Sequence, residues 1–155
     1  MKRFFIALLT VAATVTALAQ GNGRIYIEDF EITPDSTVMV QVMLENSEPT
    51  QGFQFNMNLP EGLTLEEIEL TKYSRKMKMN QANKLKNGSW IVAVYSMEQT
   101  AYPPDTAAVL TLTMTALPDF EGGNINIDKC QGSSLEYTTI NYDNSYAVVT
   151  RKPGQ

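Results

Sequence analysis

Apolar and polar side chains alternate with a period of two along most of the chain that follows residue 23. In the clearest segment Phe53, Phe55 and Met57 alternate with Gln54 and Asn56. Successive side chains of a β-strand point to opposite faces, so this alternation predicts strands with one buried face. We therefore expect strands over residues 24–32, 37–46, 53–59, 90–96, 110–115, 124–128 and 146–150.

Segments rich in glycine, proline and asparagine separate these strands, for example at residues 34–35, 60–62, 87–88 and 122–123. Short strands bounded by such turns are typical of an antiparallel β-sandwich or barrel. The segment from Leu65 to Tyr73 is the exception, and we interpret it as a helical turn. The pattern as a whole predicts a single all-β domain.

The pair Asn87-Gly88 predicts a β-hairpin. Asn-Gly is the preferred pair for a two-residue type I′ turn, in which both central residues have positive φ. That turn fixes a register with these opposite pairs: Lys86 and Ser89, Leu85 and Trp90, Lys84 and Ile91, Ala82 and Ala93.

This register divides the hairpin into two faces, because side chains alternate along each strand. The more apolar face, which we expect to point inward, comprises Leu85, Trp90, Val92 and Val94. The outer face then comprises Lys84, Lys86, Ile91, Ala93 and Tyr95.

The composition excludes several kinds of active site. The chain has 155 residues, no histidine and one cysteine. It therefore lacks Ser-His-Asp and Cys-His nucleophile systems, intramolecular disulfides and thiolate zinc sites. A carboxylate pair of the glycoside hydrolase type remains, but we interpret Glu66, Glu67 and Glu69 as a solvated acidic turn. We predict that the protein is not an enzyme and needs no cofactor.

Two minor features leave alternatives open. The segments Asp119–Glu121 and Asn141–Asn144 contain oxygen ligands suitable for calcium in a loop, although neither matches an EF-hand. Cys130 is interpreted as a small buried or partly buried thiol, with intermolecular pairing as the alternative.

The formal net charge is −5, but the charges are unevenly distributed. Residues 71–90 contain no acidic residue and the following basic ones: Lys72, Arg75, Lys76, Lys78, Lys84 and Lys86. An acidic chain without a recognisable nucleic-acid-binding module does not favour nucleic acid as a partner. We interpret the basic segment as a solvated strand and loop, or as a charged patch for a protein or an acidic glycan.

The first 19 residues have the pattern of a secretory signal peptide. Lys2 and Arg3 precede an apolar stretch, and Ala17-Leu18-Ala19 supplies the small residues of a cleavage site. A membrane span needs about 20 apolar residues, which is more than this stretch contains. We predict cleavage after Ala19, a secreted or periplasmic location and no membrane insertion of the mature chain.

The run GFQFNMNLPEGLTL at residues 52–65 resembles the signature of cohesin modules. The segments WIVAVYS at residues 90–96 and AAVLTLTMTAL at residues 107–117 resemble the two central strands of that family. The resemblance covers residues 24–151 and leaves residues 152–155 as a C-terminal tail. It implies an antiparallel jelly-roll β-sandwich of about nine strands, a fold shared with bacterial carbohydrate-binding modules.

The resemblance also implies a function and a site. Cohesins hold dockerins, the small calcium-loaded modules of exported enzymes, on one flat sheet face. The resemblance implies a dockerin-type or cell-surface protein as the partner and a link to polysaccharide degradation. Scaffold proteins usually carry several cohesins, and because this sequence contains one such module we expect a solitary adaptor. By position, the face would comprise Gln54, Asn56, Asn58, Lys84, Lys86, Ile91, Ala93, Tyr95, Asn124 and Asn126.

Two alternatives to this protein-binding face stay open. An ordinary solvated sheet face would have much the same composition, since single exposed apolar residues are normal. A carbohydrate-binding module would instead stack sugar rings on coplanar aromatic side chains. Because Trp90 is predicted to point inward, such a platform would depend on Tyr73, Tyr102, Tyr137, Tyr142 and Tyr146. Structural tyrosines are the competing interpretation for most of these residues.

Overall fold

Two packed β-sheets make up the fold. The computed structural model describes residues 22–154, and the predicted signal peptide lies outside them. The strands are β1 (Gly23–Ile27), β2 (Phe30–Ile32), β3 (Ser36–Asn46), β4 (Thr50–Asn58), β5 (Leu63–Leu70), β6 (Met79–Lys84), β7 (Trp90–Tyr95), β8 (Asp105–Ala116), β9 (Gly123–Ser134), β10 (Thr139–Asn141) and β11 (Ser145–Arg151). A 3-10 helix at Arg75–Met77 lies between β5 and β6. This part of the chain contains no helix long and apolar enough to span a membrane.

The predicted all-β sandwich is confirmed. The smaller sheet has the strand order β1-β3-β8-β5, and the larger has the order β2-β11-β9-β4-β7-β6, with β10 also paired to β9. The strand pairs are antiparallel except for β2 and β11, which are parallel. The parallel pair arises because the first strand breaks at Glu28-Asp29 and its second half, β2, joins the other sheet.

Apolar side chains from the inner faces of both sheets fill the space between them. Phe55, Met57 and Val92 of the larger sheet and Leu110 and Leu112 of the smaller sheet are fully buried. Each such side chain stabilises the fold by about 1.5–3 kcal/mol through removal of apolar surface from water. The alternation along the sequence thus produces the core directly, and it leaves the intervening polar residues on the two outer faces.

Most of the segment predicted as a helical turn, from Leu65 to Leu70, belongs to strand β5, so that prediction was wrong. β5 pairs with β8 along its length, with a bulge between Leu65 and Glu67. Apolar residues at positions 63 and 65 precede the bulge, and those at 68 and 70 follow it. The extra residue, Glu66, changes the apolar spacing from two to three, which imitates the period of a helix.

The hairpin between β6 and β7 closes with three loop residues instead of the predicted two. The Leu85 N–H donates to the Ser89 carbonyl at 2.7 Å, and the Gly88 N–H donates to the Leu85 carbonyl at 3.0 Å. Gly88 has a φ of 92°, and Asn87 keeps a negative φ while its side-chain oxygen accepts from the Ser89 N–H at 3.0 Å. This is the three-residue hairpin in which a type I turn is followed by one left-handed residue.

The different loop shifts the register of β6 by one residue. The observed pairs are Lys84 with Trp90, Asn83 with Ile91, Ala82 with Val92 and Gln81 with Ala93. A shift of one residue exchanges the two faces of a strand, because side-chain direction has a period of two. The predictions that Lys84 and Lys86 share the outer face with Ile91 were therefore wrong: Lys84 lies on the other face and Lys86 lies in the loop. The inward direction of Val92 and Val94 is confirmed, since both are fully buried.

Candidate binding face

One outer face of the larger sheet brings together most of the predicted site residues. They lie on the adjacent strands β9, β4 and β7, and their neighbours along each strand are buried in the core. The predicted residues on this face are Gln54, Asn56, Asn58, Ile91, Ala93, Tyr95, Asn124 and Asn126.

The side chains of this face form rows that cross the strands. In one row the order from β6 to β9 is Gln81, Ala93, Gln54 and Gln131. In the next row it is Asn83, Ile91, Asn56 and Asp128. Adjacent strands are about 4.7–4.9 Å apart, so neighbours in a row are within reach of one binding partner. We call this surface the amide face, defined by Gln54, Asn56, Asn58, Gln81, Asn83, Asn124, Asn126, Gln131 and Asn141.

Sequence reasoning missed four of these amides for identifiable reasons. Gln81 and Asn83 take the outer positions assigned to lysine because the hairpin loop has three residues. Gln131 is outward because β9 bulges between Asp128 and Gln131. Asn141 belongs to the short strand β10, where it lies opposite Gln131. The Asn87-Gly88 pair indicated the hairpin that contains Gln81 and Asn83. No pattern in the sequence indicated the bulge in β9.

The bulge in β9 also buries the cysteine. Lys129 has a φ of 52° at the bulge, and the next residue, Cys130, turns inward and is 3% exposed. The interpretation of Cys130 as a buried thiol is therefore confirmed. Burial is the main cause of a rise in the pKa of the Cys130 thiol to about 12, and the negative charges of Asp128 and Asp143 contribute to this rise.

Most polar side chains of the amide face have no partner within residues 22–154. The exception is Asn58, whose side-chain oxygen accepts a hydrogen bond from the Ser89 hydroxyl. Each primary amide offers two donors and one carbonyl acceptor in a plane. The face therefore presents an ordered set of hydrogen-bonding groups to water.

A shallow recess lies at one end of the face, where Gly52 contributes no side chain. Gly52 is opposite Tyr95 on β7 and Ser133 on β9. The recess has a volume of about 430 Å³, and Ala93 and Gln131 are among its lining residues. A Cβ atom on Gly52 would lie 3.1 Å from the Cβ of Tyr95, so a larger residue would fill the recess and crowd its wall.

The tyrosines proposed for a sugar platform do not form one exposed surface, although Tyr73 stacks on the buried Tyr102 with ring centroids 5.6 Å apart. Tyr102 and Tyr142 are buried, and their hydroxyls form hydrogen bonds with Ser74 at 2.7 Å and Thr50 at 2.9 Å. The structural interpretation is therefore confirmed for these two residues. Tyr137 and Tyr146 are exposed, but one lies in the loop after β9 and the other on β11.

The acidic residues considered for a carboxylate pair lie on a strand. Glu66, Glu67 and Glu69 lie along β5, an edge strand of the smaller sheet and not a turn. In the part of the chain that the structure describes, no three side chains of the His, Cys, Asp and Glu type are grouped to hold a metal ion.

Comparison of the sequence finds no matching family model and no matching curated protein. The structure is similar to the sixth cohesin of scaffoldin B from Acetivibrio cellulolyticus, solved in complex with a Cel5 dockerin mutant. That match has a TM-score of 0.71 and 14% identity, and it covers 84% of this chain and 99% of the other.

Two further solved structures have the same architecture. The cohesin module of a family 33 glycoside hydrolase from Clostridium perfringens matches with a TM-score of 0.69 and 15% identity, over 86% of this chain and 97% of that one. A non-cellulosomal cohesin from the archaeon Archaeoglobus fulgidus matches with a TM-score of 0.65 and 10% identity, over 84% and 92%. At these identities the similarity concerns the fold, and this chain has the fold of a cohesin module.

Proposed function

We propose that the chain is an exported, non-catalytic binding module that captures a dockerin-type protein on its amide face. The observation that carries the proposal is an array of amides on one sheet face, all but Asn58 without a side-chain hydrogen bond within residues 22–154, adjoining a recess walled by Tyr95. A partner that supplies matching donors and acceptors replaces water at these groups without breaking hydrogen bonds inside the chain.

The distribution of apolar residues on the face supports a protein partner. Ile91 and Ala93 lie between amides of β6 and β4, and Tyr95 follows them along β7 at the end of the face, beside Gly52. Protein interfaces commonly combine a small apolar or aromatic centre with a polar rim, and tyrosine is enriched among the residues that dominate affinity. We assign Tyr95 and Ala93 to the centre of the contact, with Gln54 and Gln81 beside them.

The names of the structural neighbours support the choice of partner class. Cohesins from Acetivibrio cellulolyticus and Clostridium thermocellum were solved in complexes with dockerins. The Clostridium perfringens cohesin belongs to a glycoside hydrolase, which agrees with a role linked to polysaccharide handling. The signal-peptide pattern at residues 1–19 supports export to the periplasm or the cell exterior.

A binding assay with purified modules tests the proposal. The chain from residue 20 to 155, which contains every described strand, is immobilised and exposed to a panel of dockerin modules loaded with calcium. We expect capture of at least one dockerin, and we expect Ala93→Asp combined with Tyr95→Asp to abolish it. The matched control is Thr113→Asp on the outer face of the smaller sheet, which leaves capture unchanged.

Three outcomes contradict the proposal. Capture that survives the double substitution places the contact elsewhere, and loss of capture in the Thr113→Asp control points to the opposite face. Retention of the chain on insoluble polysaccharide, together with no binding across the dockerin panel, favours the direct contact with glycan instead.

A further inference from the structure

The two lateral sides of the sandwich differ in how they are closed. On one side the chain crosses from β1 in the smaller sheet to β2 in the larger, so the two sheets are joined there. On the other side β5 ends the smaller sheet and β6 ends the larger, and the described residues provide no strand beyond either. This second side is open, and a binding partner has access to strand edges there.

The main chain of β6 has free hydrogen-bonding groups along this open side. In an antiparallel pair, residues alternate between those bonded to the partner strand and those whose N–H and C=O point away. Leu85 is bonded to Ser89 of the hairpin, so residues 83 and 81 also face β7. The N–H and C=O groups of Asn80, Ala82 and Lys84 consequently point outward.

The two edges differ in their protection against pairing. Bulges and charged side chains are common devices that prevent an edge strand from accepting another strand. β5 has both, with a bulge at Glu66 and further carboxylates at Glu67 and Glu69. β6 pairs with β7 without a bulge, contains no proline, and has one charged residue, Lys84.

A groove of about 240 Å³ separates the two edges. Leu65 and Ile68 of β5 and Ala82 and Trp90 of the larger sheet contribute its apolar lining. Glu66 and Glu67 also line this groove. The ion pairs within residues 22–154 are Arg24–Glu45 and Lys78–Glu98, so neither groove carboxylate has a cationic partner among these residues.

We propose that a second copy of this chain occupies the open side by antiparallel pairing of β6 with β6. A twofold axis beside Ala82 places Ala82 opposite the second copy's Ala82. The same register places Asn80 opposite the second copy's Lys84, so the three residues with outward main-chain groups meet their counterparts. Such an isologous contact is self-complementary, as a closed dimer requires.

Charge complementarity supports this occupant. The side chain of Lys84 is on the same side of β6 as Ala82, which faces the sandwich interior. In the dimer, the second copy's Lys84 therefore lies beside Asn80, which lines the groove together with Glu66 and Glu67. Each copy thus supplies the cation that the carboxylates of the other copy lack. Lys78 at the start of β6 adds little repulsion, because it is already paired with Glu98 at 2.9 Å.

The dimer would extend the amide face across the junction. Gln81 comes to lie beside the second copy's Asn83, and two amide faces form one continuous surface. Two linked sites bind a repeated partner more tightly than one site does, because the second contact becomes intramolecular. The dimer itself requires no partner, so its test is independent of the proposed dockerin binding.

Analytical ultracentrifugation of residues 20–155 over micromolar to millimolar concentrations tests the proposal. We expect a reversible monomer–dimer equilibrium, with weak affinity because the contact is small. Lys84→Glu should raise the dimer dissociation constant by about tenfold or more, since like charges then meet at the groove. Combining Lys84→Glu with Glu66→Lys and Glu67→Lys should restore dimerisation toward the original level.

A second pair of variants tests the main-chain contact. Asn80→Pro removes an outward N–H and should abolish the dimer, whereas the matched control Asn80→Ala retains it. Proline is tolerated where the N–H of an edge strand faces solvent, and circular dichroism verifies that the monomer remains folded. A chain that stays monomeric at every concentration, or a dimer that tolerates both Lys84→Glu and Asn80→Pro, overturns the proposal.

Discussion

The outer faces of the two sheets differ in whether their polar side chains already have partners. On the smaller sheet the Thr37 and Thr115 hydroxyls are 3.0 Å apart, and the Thr64 hydroxyl donates to Glu66 at 2.7 Å. The amide face of the larger sheet has a single side-chain hydrogen bond of this kind within residues 22–154, between Ser89 and Asn58. On both sheets the outward residues alternate regularly with buried core residues. This alternation therefore does not explain why the outward polar side chains differ in their hydrogen bonding.

Some polar side chains of the smaller sheet are therefore already paired with one another, whereas most of those on the amide face are not paired within residues 22–154. A partner that binds paired hydroxyls and carboxylates must break or bypass existing hydrogen bonds. A partner that binds free amides exchanges only bonds to water, and the net gain of each exchanged bond is about 0.5–1.5 kcal/mol. Experiments that compare the two faces in stability and in binding therefore test the assignment.

The largest expected effect on the free energy of unfolding comes from a substitution in the core beneath the amide face. A substitution on the face itself should have little effect. Phe55 is fully buried between Gln54 and Asn56, which point outward. Phe55→Ala should lower the free energy of unfolding by about 3–5 kcal/mol, because it leaves a cavity in the core. Asn56→Ala should change this free energy by no more than about 0.5 kcal/mol, as for other surface sites. Denaturant unfolding measures both, and similar losses would mean that the amides are structural.

The thiol of Cys130 tests whether this side chain of β9 points into the core. If it is buried, its ionisation makes the free energy of unfolding depend on pH. Burial raises its pKa from 9.0 to about 12, so between these values the unfolded chain releases a proton that the folded chain retains. Stability should therefore fall as the pH rises through this range, and this contribution is constant below it. Cys130→Ala should make the fall in unfolding free energy shallower between about pH 9 and 12.

Labelling with a thiol reagent provides the control for this prediction. Native Cys130 should not react at neutral pH and should react after unfolding, since the buried thiol is protonated and inaccessible. Cysteine introduced by Asn126→Cys in the Cys130→Ala background should react in the native state. Rapid labelling of native Cys130 would contradict the inward direction that the β9 bulge produces.

A smaller effect is expected from the paired hydroxyls of the smaller sheet. Thr115→Ala removes the contact with Thr37 and should cost about 0.5–1.5 kcal/mol of unfolding free energy. Asn126→Ala, at an amide without such a contact, should cost less. The removed hydroxyl of Thr115 has a side-chain partner and the removed amide of Asn126 has none, so equal costs would remove the distinction between the faces.

The smallest effect concerns the exposed ion pair at the edge of the smaller sheet. Arg24 and Glu45 are 3.2 Å apart, and about half of each side chain is exposed. A double-mutant cycle with alanine at both positions should give a coupling of about 0.2–1 kcal/mol that decreases at high salt. A coupling free energy well above this range would show that this ion pair stabilises the fold more than expected for two side chains that are half exposed.

Much of the fold followed from local patterns. Phe53, Phe55 and Met57 are buried as their alternation predicts, and the inward direction of Val92 and Val94 follows in the same way. These predictions are correct because, in a strand with one buried face, the order of its own residues is enough to identify which side chains are buried. The outward positions of Gln54 and Asn56 follow from the same rule.

The errors occurred where one residue changed the phase of the alternation. Glu66 in β5 and Lys129 in β9 are at bulges, and Gly88 closes a loop of three residues where two were expected. Neither bulges nor loop length alter the composition of a segment, so polar and apolar residues still alternate on both sides of them. The pairing strand decides where the phase changes, and that strand lies far away in the sequence.

The sequence by itself determined that this protein is an all-β sandwich and which residues of its regular strands are buried. Hydrophobic burial is nearly independent of direction, so the period of two was sufficient for these conclusions. Only the tertiary structure decided that Gln81, Asn83 and Gln131 complete the amide face and that Lys84 lies beneath it. Hydrogen bonds between strands are directional and fix one register, and that register determines which polar side chains become neighbours.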